Sequence, residues 1–291
     1  MPGECFPCLK LWCRRTWPNR RGSSRSGPTE TLIFVDVDGV LNVGVFDQGN
    51  APVAFNQTNL QLALKLEGQN NILADRIRSV AGMEVEGEHA TYEKFLAGPG
   101  DLSQVLVGRL AQLITQAGSS CSVVLSSSWR KPKHAKRVQT LETCIGTQLG
   151  RPFKFDDRTP LNEEAGGAMD RLQVLGDYTE TFCHKRKGKA VNVRILVLED
   201  FCVTPLSGKV SNGGCGFLNL PLGLKCQGVS IHSHEAAERY LISRSADSSA
   251  PSVRIIHTYD AWTTDQGLSV AVGTGLTMKH FCQAQQFLDG R

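Results

Sequence analysis

The 291-residue sequence has few aromatic residues, no long hydrophobic run and no pattern of paired cysteines. The absence of any stretch of about 18 apolar residues excludes a transmembrane helix. Ten cysteines are scattered along the chain, and only Cys5 and Cys8 have a CxxC spacing, so a disulfide framework is not indicated. With 41% apolar and 21% charged residues, the composition is that of an ordinary globular protein and excludes collagen, a coiled coil and general disorder.

The net charge is small, at +4, and it is concentrated at one end of the chain. Residues 1–29 carry six Lys and Arg side chains against Glu4 alone, a net charge of +5, so the remaining residues together carry −1. We therefore attribute the basic isoelectric point to a tail rather than to a nucleic-acid-binding body. Residues 20–29 have the composition of a flexible linker, and one folded domain is predicted over residues 30–291.

The tail at residues 1–29 is predicted to be disordered. Three basic residues interrupt its first apolar stretch: Lys10, Arg14 and Arg15. No secretory signal is therefore evident, and a cytoplasmic location with free thiols is expected. An alternative prediction is that Cys5, Cys8 and Cys13, which lie beside apolar and basic residues, are S-acylated and give a peripheral membrane contact.

Five short apolar runs rich in Val, Ile and Leu predict the strands of a sheet. They are Thr31 to Val35, Ser122 to Leu125, Arg194 to Leu198, Gly228 to Ile231 and Ser252 to Ile256. Each run is continuous rather than alternating, which is typical of strands buried on both faces. The sequence therefore predicts an α/β fold with an open, mostly parallel, Rossmann-like sheet flanked by helices.

Helical periodicity is evident between these runs. Apolar residues recur at three- and four-residue spacing from Leu102 to Ile114, and again from Ala236 to Leu241. The segment from about residue 47 to residue 100 fits the alternation of strands and helices poorly, although residues 59–80 have helical periodicity. We interpret this segment as an insertion after the first strand. One hypothesis is that it forms a partial lid.

Polar residues end three of the predicted strands. Asp36-Val37-Asp38-Gly39 follows the first, Ser126-Ser127-Ser128-Trp129-Arg130 follows the second, and Glu199-Asp200 ends the third. In open α/β sheets, ligands bind outside the carboxyl ends of the strands, so these groups are expected to share one edge. The sequence therefore places paired carboxylates, hydroxyls and a second acidic pair at a candidate site.

Metal-assisted phosphoryl transfer is the chemistry that requires this set of groups. Two carboxylates two residues apart can share a hard cation such as Mg²⁺, which prefers oxygen ligands. One carboxylate can attack phosphorus to give an aspartyl-phosphate, while the other acts as general acid and then as general base. Hydroxyls and a cationic side chain can compensate the charge on the phosphoryl oxygens.

These residues resemble motifs of the haloacid dehalogenase superfamily of phosphohydrolases. The stretch from Asp36 to Asn42 resembles the first motif, and the resemblance implies that Asp36 is the nucleophile and Asp38 the acid/base. The stretch from Val123 to Arg130 resembles the second motif, which implies that Ser126 or Ser127 contacts the phosphoryl group.

Residues 195–200 resemble the fourth motif of that superfamily, which binds Mg²⁺. The resemblance implies that Asp36, Asp38 and Asp200 hold the metal. The family usually has two aspartates here, so Glu199 departs from the pattern and is expected outside the metal's direct ligands or on the surface. The third motif is a lone basic residue near the start of the preceding helix, and the resemblance favours Lys187, with Lys189 as second candidate.

Two further stretches, Asp157 to Pro160 and Thr274 to His280, resemble the haloacid-dehalogenase-type domain of "Swiss army knife" RNA-repair-like proteins, as does Ser127-Ser128-Trp129-Arg130. The similarity extends over about residues 31–288 and leaves the insertion unmatched. It suggests that the substrate is a phosphate ester, for which a nucleotide and a nucleic-acid end are candidates.

Two basic clusters bear on the substrate. One follows the second strand and contains Arg130, Lys131, Lys133, Lys136 and Arg137, and the other precedes the third strand and contains Lys185, Arg186, Lys187 and Lys189. Both are expected near the catalytic edge, where they would attract a polyanion, unless they are simply solvated helix residues. With Trp129 as the one aromatic residue nearby, base stacking is not indicated.

The sequence after the fourth run, His232-Ser233-His234, lies near Cys226 and has some resemblance to a zinc site. The spacing matches no zinc motif, and Ser233 is instead predicted to cap a helix. The favoured hypothesis is thus a Mg²⁺-dependent phosphohydrolase. A non-catalytic phosphate or nucleic-acid binding module and a phosphotransferase remain as alternatives.

Overall fold

The computed structural model describes residues 28–46, 52–54, 101–161, 168–189, 191–201, 209–210, 224–226, 229–231, 233–245, 250–263 and 268–291, with the single residues 65, 95 and 98. The predicted tail up to residue 27, including its acylation, lies outside the described residues. The helix predicted over residues 59–80 and most of the insertion at 47–100 lie outside them as well.

The described strands follow in chain order, numbered from the amino-terminal end. They are β1 (Thr29–Val35), β2 (Gly44–Phe46), β3 (Pro52–Ala54), β4 (Cys121–Leu125), β5 (Asp157–Arg158), β6 (Asn192–Glu199), β7 (Lys209–Val210), β8 (Leu224–Cys226), β9 (Val229–Ile231), β10 (Ser252–His257), β11 (Tyr259–Thr263) and β12 (Leu268–Gly273). The α-helices with described bounds are α1 (Gln104–Ala117), α2 (Ala135–Leu149), α3 (Ala168–His184), α4 (His234–Ser243) and α5 (Met278–Leu288).

The main sheet has five strands in the order β10-β6-β1-β4-β5, and all neighbouring pairs are parallel. Helices flank it, so the predicted α/β fold with an open parallel sheet is confirmed. Four of the five apolar runs form β1, β4, β6 and β10 of this sheet. Because β1 lies at its centre, the residue after β1 is surrounded by the ends of neighbouring strands.

The fourth apolar run is the exception. Val229–Ile231 forms β9, which pairs antiparallel with β8 in a separate two-stranded sheet. Only Gln227 and Gly228 separate the two strands, a loop length that favours a hairpin over a crossover. The prediction that this run forms a strand of the parallel sheet is wrong. The fifth strand of that sheet is instead the two-residue strand β5, which lies at the edge beside β4.

Two hydrophobic clusters pack on opposite faces of the main sheet. The first joins Ile33, Val35 and Leu125 to apolar residues of α1, α2 and α5. The second joins Leu32, Phe34, Val124 and Val197 to apolar residues of α3 and α4. Successive buried residues of β1, β4 and β6 alternate between the two clusters, as expected for strands buried on both faces.

Caps fix the beginnings of two predicted helices. The Ser103 hydroxyl accepts a hydrogen bond from the Leu106 N–H at the start of α1, and the Ser233 hydroxyl accepts from the Ala236 N–H at the start of α4. Each bond satisfies a helix N–H that lacks a partner within the helix. The predicted capping role of Ser233 is confirmed.

The described strands also form smaller sheets. Strands β11 and β12 form an antiparallel pair that β7 extends, and β2 and β3 form an antiparallel pair after β1. Among the described helices, none has the length and apolar character needed to cross a membrane. The described cysteines Cys121, Cys144, Cys183 and Cys282 are free thiols.

Candidate active site at the carboxyl edge of the sheet

Five polar side chains form a row across the carboxyl edge of the main sheet. From one side to the other they are Thr159 after β5, Ser126 after β4, Asp36 after β1, Glu199 ending β6 and His257 ending β10. The row follows from the register, because Val35 pairs with both Leu125 and Leu198, Leu125 pairs with Arg158, and Glu199 pairs with His257. All five are buried.

The alternation of side chains places this row on one face of the sheet. Phe34, Val124, Val197 and Ile255 belong to the hydrophobic cluster that packs against α3 and α4. The residues two positions later in each strand are members of the row, and residues two apart in a strand point to the same side. The amino-terminal part of α3 therefore faces the same side chains.

Asp36 is held by the backbone and by a cation. One carboxylate oxygen accepts a hydrogen bond of 2.8 Å from the Val37 N–H, and the other lies 3.0 Å from the guanidinium of Arg171. Burial alone raises the pKa of Asp36, but Arg171 and hydrogen bonds from Glu199, Val37 and Ser127 outweigh it and lower the pKa below its usual value. Asp36 is therefore an ionised carboxylate, as a nucleophile requires.

Glu199 is the second acidic partner of Arg171. It is only 1% exposed, and both of its carboxyl oxygens lie 2.7 Å from the same guanidinium nitrogen. Burial raises the pKa of Glu199 well above its usual value, Arg171 lowers it, and the nearby Asp36 raises it again. The two carboxylates hold Arg171 in its charged form by raising the pKa of that side chain against the effect of burial.

The central positions of Glu199 and Arg171 in the site had not been predicted from the sequence. Glu199 was expected outside the metal's direct ligands or on the surface, and the structure instead places it in the centre of the site. Arg171 lies in the first turn of α3, the helix that precedes β6. That position is where the family resemblance implies a cation, so the signal was present, but the start of α3 could not be located from sequence periodicity.

Three buried carboxylates could hold a metal ion. Oxygen atoms of Asp36, Glu199 and Asp200 lie within 4.8 Å of one another. Carboxylate oxygens are the ligands that hard divalent cations such as Mg²⁺ and Ca²⁺ prefer, so the donor set fits such an ion. Of the predicted set of Asp36, Asp38 and Asp200, this group of oxygens contains Asp36 and Asp200 but not Asp38, and it adds Glu199.

Two glycines make room for the carboxylate of Asp200. A Cβ atom on Gly39 would lie 2.7 Å from Cγ of Asp200 and still closer to Oδ2, and a Cβ atom on Gly273 would lie 2.6 Å from the same Oδ2. Gly39 also has φ of +76°, a conformation that favours glycine. Gly39 is thus required both for the turn after β1 and for the approach of Asp200.

Asp38 lies at the exposed mouth of the site. Its Oδ1 accepts a hydrogen bond of 3.1 Å from the Asn42 side chain, and its Oδ2 accepts one of 2.9 Å from the Trp129 indole N–H. Although the side chain contacts solvent, surrounding protein atoms displace enough water to raise the pKa of Asp38. Asp36 raises that pKa further, and the two hydrogen bonds oppose the rise. A raised pKa suits a group that donates a proton.

The three consecutive serines have different environments. The Ser126 hydroxyl is buried and has no hydrogen-bond partner among the described residues. The Ser127 hydroxyl accepts a hydrogen bond of 3.3 Å from the Trp129 N–H and also bonds Asp36. Ser128 is exposed. The structure therefore joins Ser127 to Asp36 by a hydrogen bond and places Ser126, with an uncommitted hydroxyl, at the end of the neighbouring strand.

Arg130 adds a second cation near the carboxylates. Its guanidinium donates to the backbone carbonyls of Ser126 and Ser127, while its buried Nε has no partner among the described residues. Burial and the neighbouring Arg171 lower the pKa of Arg130, and Asp36 and Glu199 raise it. These electrostatic interactions place Arg130 beside the acidic cluster.

Lys187 is not brought to this site. Helix α3 ends at His184, and Lys187 lies in the exposed turn that follows, with its N–H bonded to the His184 carbonyl. The adjacent Arg186 pairs with Glu30 at the beginning of β1, about 20 Å of extended strand from Asp36. The prediction of Lys187, with Lys189 as second candidate, assumed that the helix before β6 begins near these residues. That helix is α3, which begins at Ala168.

The same geometry corrects the expectation for the basic clusters. The cluster at residues 185–189 lies at the opposite edge of the sheet, whereas the cluster at residues 130–137 borders the site. Within the second, Arg137 lies over the Trp129 ring at 4.0 Å. Burial and the charges of Lys133, Arg137 and Lys131 lower the pKa of His134, and Asp38 raises it. Lys131, Lys133 and Arg137 therefore lie near His134, and Arg137 also acts on Asp38.

A histidine pair ends the row on the side of β10. The rings of His234 and His257 stack at 3.7 Å, and His234 Nε2 lies 2.7 Å from the Tyr259 hydroxyl. Burial and the neighbouring His234 lower the pKa of His257 to about 3, so this ring is neutral. Neither histidine contributes to the group of close metal-ligand atoms found among the described residues, and His232 lies outside the described residues.

Comparison of the chain with models of protein families, with curated proteins and with solved structures found no match in any of the three.

Proposed function

We propose that the protein is a Mg²⁺-dependent phosphohydrolase of the haloacid dehalogenase type. The observation that carries this proposal is the meeting of Asp36, Glu199 and Asp200 at the end of a parallel sheet, with an unpartnered hydroxyl on Ser126 next to them. Carboxylates without a hydroxyl would suit a simple metal site. The combination suits an anionic substrate that is held beside a cation.

Asp36 and Asp38 divide the chemistry between them. A carboxylate oxygen of Asp36 attacks phosphorus, so that an acyl-phosphate bond forms and the ester P–O bond breaks. Asp38 gives its proton to the departing oxygen and then takes a proton from the water that attacks the aspartyl-phosphate. That second step releases phosphate and restores the carboxylate of Asp36.

The metal, when bound by Asp36, Glu199 and Asp200, supplies a positive charge that polarises the phosphoryl oxygens. Arg171 and Arg130 add fixed positive charge at the same edge, and the hydroxyls of Ser126 and Ser127 donate hydrogen bonds. In this proposal Arg171 takes the role that the sequence had suggested for Lys187, because it contacts Asp36 directly.

Hydrolysis of an aryl phosphate tests the proposal. Wild-type protein with Mg²⁺ is expected to release phosphate, and EDTA or Asp36→Asn is expected to abolish the release. Arg171→Met is expected to lower kcat about 100-fold or more because it removes a charge at the reacting group. Lys187→Ala is the matched control and should leave kcat unchanged. Release of phosphate by wild-type protein in EDTA, together with release by the Asp36→Asn variant, would contradict the mechanism.

The basic cluster at residues 130–137 supports a polyanionic substrate, such as a nucleotide or a nucleic-acid end. Lys131 and Lys133 are exposed and, like Asp38, act on His134, and Lys136 is exposed one turn further along the same segment. We therefore expect the remainder of a long substrate to extend along this segment. Replacing all three with Ala is expected to lower kcat/KM for a 5′-phosphorylated oligonucleotide more than for an aryl phosphate, and to flatten its dependence on salt. Equal losses on both substrates would contradict this part of the proposal.

A further inference from the structure

Thr159 presents a buried hydroxyl that nothing in the described chain satisfies. The residue follows β5, is 2% exposed, and its Oγ1 has no hydrogen-bond partner among the described residues. Ser126, at the end of the neighbouring strand β4, is also 2% exposed and has a hydroxyl in the same condition. Burying a polar group without a partner destabilises a fold, so two such groups together indicate a ligand that accepts their hydrogen bonds.

The register of the strands makes the two hydroxyls neighbours. Arg158 pairs with Leu125, and the Thr159 N–H donates to the Leu125 carbonyl at 3.0 Å, so Thr159 lies beside Ser126. Both are two residues after strand positions that pair with each other, Asp157 and Val124, and therefore point to the same face. That face is the one on which Asp36 lies.

The row is divided by charge. Its β1 and β6 side contains the buried carboxylates of Asp36, Glu199 and Asp200. On the β5 side, the described carboxylate of Asp157 already accepts hydrogen bonds from the Tyr178 hydroxyl and the Arg158 N–H. A cation therefore favours the first side, and the oxygens of an anionic substrate favour the hydroxyls of the second.

Distance separates Thr159 from the reacting group. Neighbouring strands lie about 5 Å apart, so Ser126 is one spacing and Thr159 two spacings, about 10 Å, from Asp36. A phosphoryl group at Asp36 is within reach of Ser126, and the next group of the substrate is the one that reaches Thr159. We infer that Thr159 binds a second anionic group of the substrate, so that favoured substrates carry two neighbouring phosphate groups. This inference rests on the proposed function, because it takes Asp36 as the point that holds the reacting phosphoryl group.

The variant Thr159→Val tests the inference, since it removes the hydroxyl and keeps the shape of the side chain. Thr179→Val is a matched control. Thr179 is 0% exposed and its Oγ1 also lacks a partner among the described residues, but it lies eight residues beyond Arg171 on α3, about 12 Å further along the helix. Binding of methylenediphosphonate, which has two anionic groups and a bridge that cannot be hydrolysed, is compared by calorimetry with binding of inorganic phosphate, with Mg²⁺ present.

Both Val variants are expected to raise Tm by about 2 to 4 °C, because each removes an unsatisfied buried hydroxyl. Thr159→Val is expected to weaken methylenediphosphonate about tenfold and inorganic phosphate less than about twofold. Thr179→Val should leave both affinities unchanged, and Thr159→Ser should retain them. If Thr159→Val does not fold, Thr159→Ala carries the same expectation for binding.

Unchanged binding of methylenediphosphonate by Thr159→Val, or an equal loss for both anions, would overturn the inference and leave the proposed function standing. Wild-type protein that binds neither anion would overturn both. If the binding difference is found but wild-type protein hydrolyses no ester, the assignment of Thr159 is supported and the proposed hydrolysis is contradicted.

Discussion

The indole N–H of Trp129 donates a 2.9 Å hydrogen bond to the Asp38 carboxylate, although the two residues are 91 positions apart in the sequence. Trp129 is buried, and the short 3₁₀ helix Ser128–Arg130 after β4 holds it in place. The bond therefore joins the exposed acid/base candidate to the segment that follows the interior strand β4. It also stabilises the ionised form of Asp38 and so limits the rise in its pKa.

Replacing Trp129 with Phe should shift the pH dependence of the reaction. The variant loses the hydrogen bond that favours the carboxylate, so the pKa of Asp38 rises further. A general acid must be protonated, and the alkaline limb of kcat/KM is therefore expected to move to higher pH. The smaller ring is also expected to lower the free energy of unfolding by about 1 to 3 kcal/mol. Kinetics measured well below the Tm of the variant separate these effects, and an unchanged alkaline limb would contradict the assignment of Asp38.

The contrast between Trp129 and Arg171 explains what the sequence could predict. Asp36, Asp38, Ser126, Ser127 and Asp200 directly follow apolar runs, so the rule that ligands bind at strand ends located them. Arg171 lies within a helix at no marked sequence position, and its importance comes from a contact with Asp36 that only the packing of α3 creates. Glu199 is likewise recognised as a member of the acidic group with Asp36 and Asp200 only because the structure shows it buried beside them. The sequence alone does not distinguish it from a surface glutamate.

The same distinction applies to the strands. The runs that form β1, β4, β6 and β10 are long enough to be recognised, whereas β5 has two exposed residues and no apolar pattern. It is a strand because its backbone pairs with β4. The run that ends at Ile231 has the composition of a buried strand, but the proximity of β8 in the chain directs it into a hairpin instead.

Gly39→Ala should destabilise the protein far more than a similar change elsewhere. Gly39 and Gly188 have nearly the same φ, +76° and +78°, but a Cβ on Gly188 would meet nothing within 4 Å, whereas one on Gly39 would collide with Asp200. Gly188→Ala therefore measures backbone strain alone, about 1 kcal/mol. Gly39→Ala is expected to cost about 2 to 5 kcal/mol in urea unfolding and to weaken Mg²⁺ binding. Equal costs for the two variants would show that the approach of Asp200 to Gly39 is not important.

The buried His257 should make the protein less stable in acid. Its pKa is lowered to about 3 in the folded state, against an ordinary value of about 6.5 in the unfolded chain. Between these two pH values, His257 binds a proton in the unfolded state but not in the folded state. The contribution of His257 is complete above about pH 6.5 and is lost as the pH falls toward 3.

At pH 5 this linkage corresponds to about 2 kcal/mol for His257. His257→Phe is expected to reduce the loss of unfolding free energy between pH 7 and pH 5 by that amount, measured by urea titration at each pH. His184→Asn, at an exposed position, serves as the control for the loss of a histidine. If His257→Phe has the same pH dependence as the wild type, then the ring is not held neutral.

Covalent labelling of Asp36 tests the central proposal most directly. A phosphate ester labelled with ³²P is mixed with excess protein and Mg²⁺, the reaction is stopped with acid, and the labelled peptide is identified. The account predicts label on the peptide that contains Asp36, loss of the label on treatment with hydroxylamine, and no label in Asp36→Asn. Phosphate released by protein that never carries label on Asp36 would contradict it.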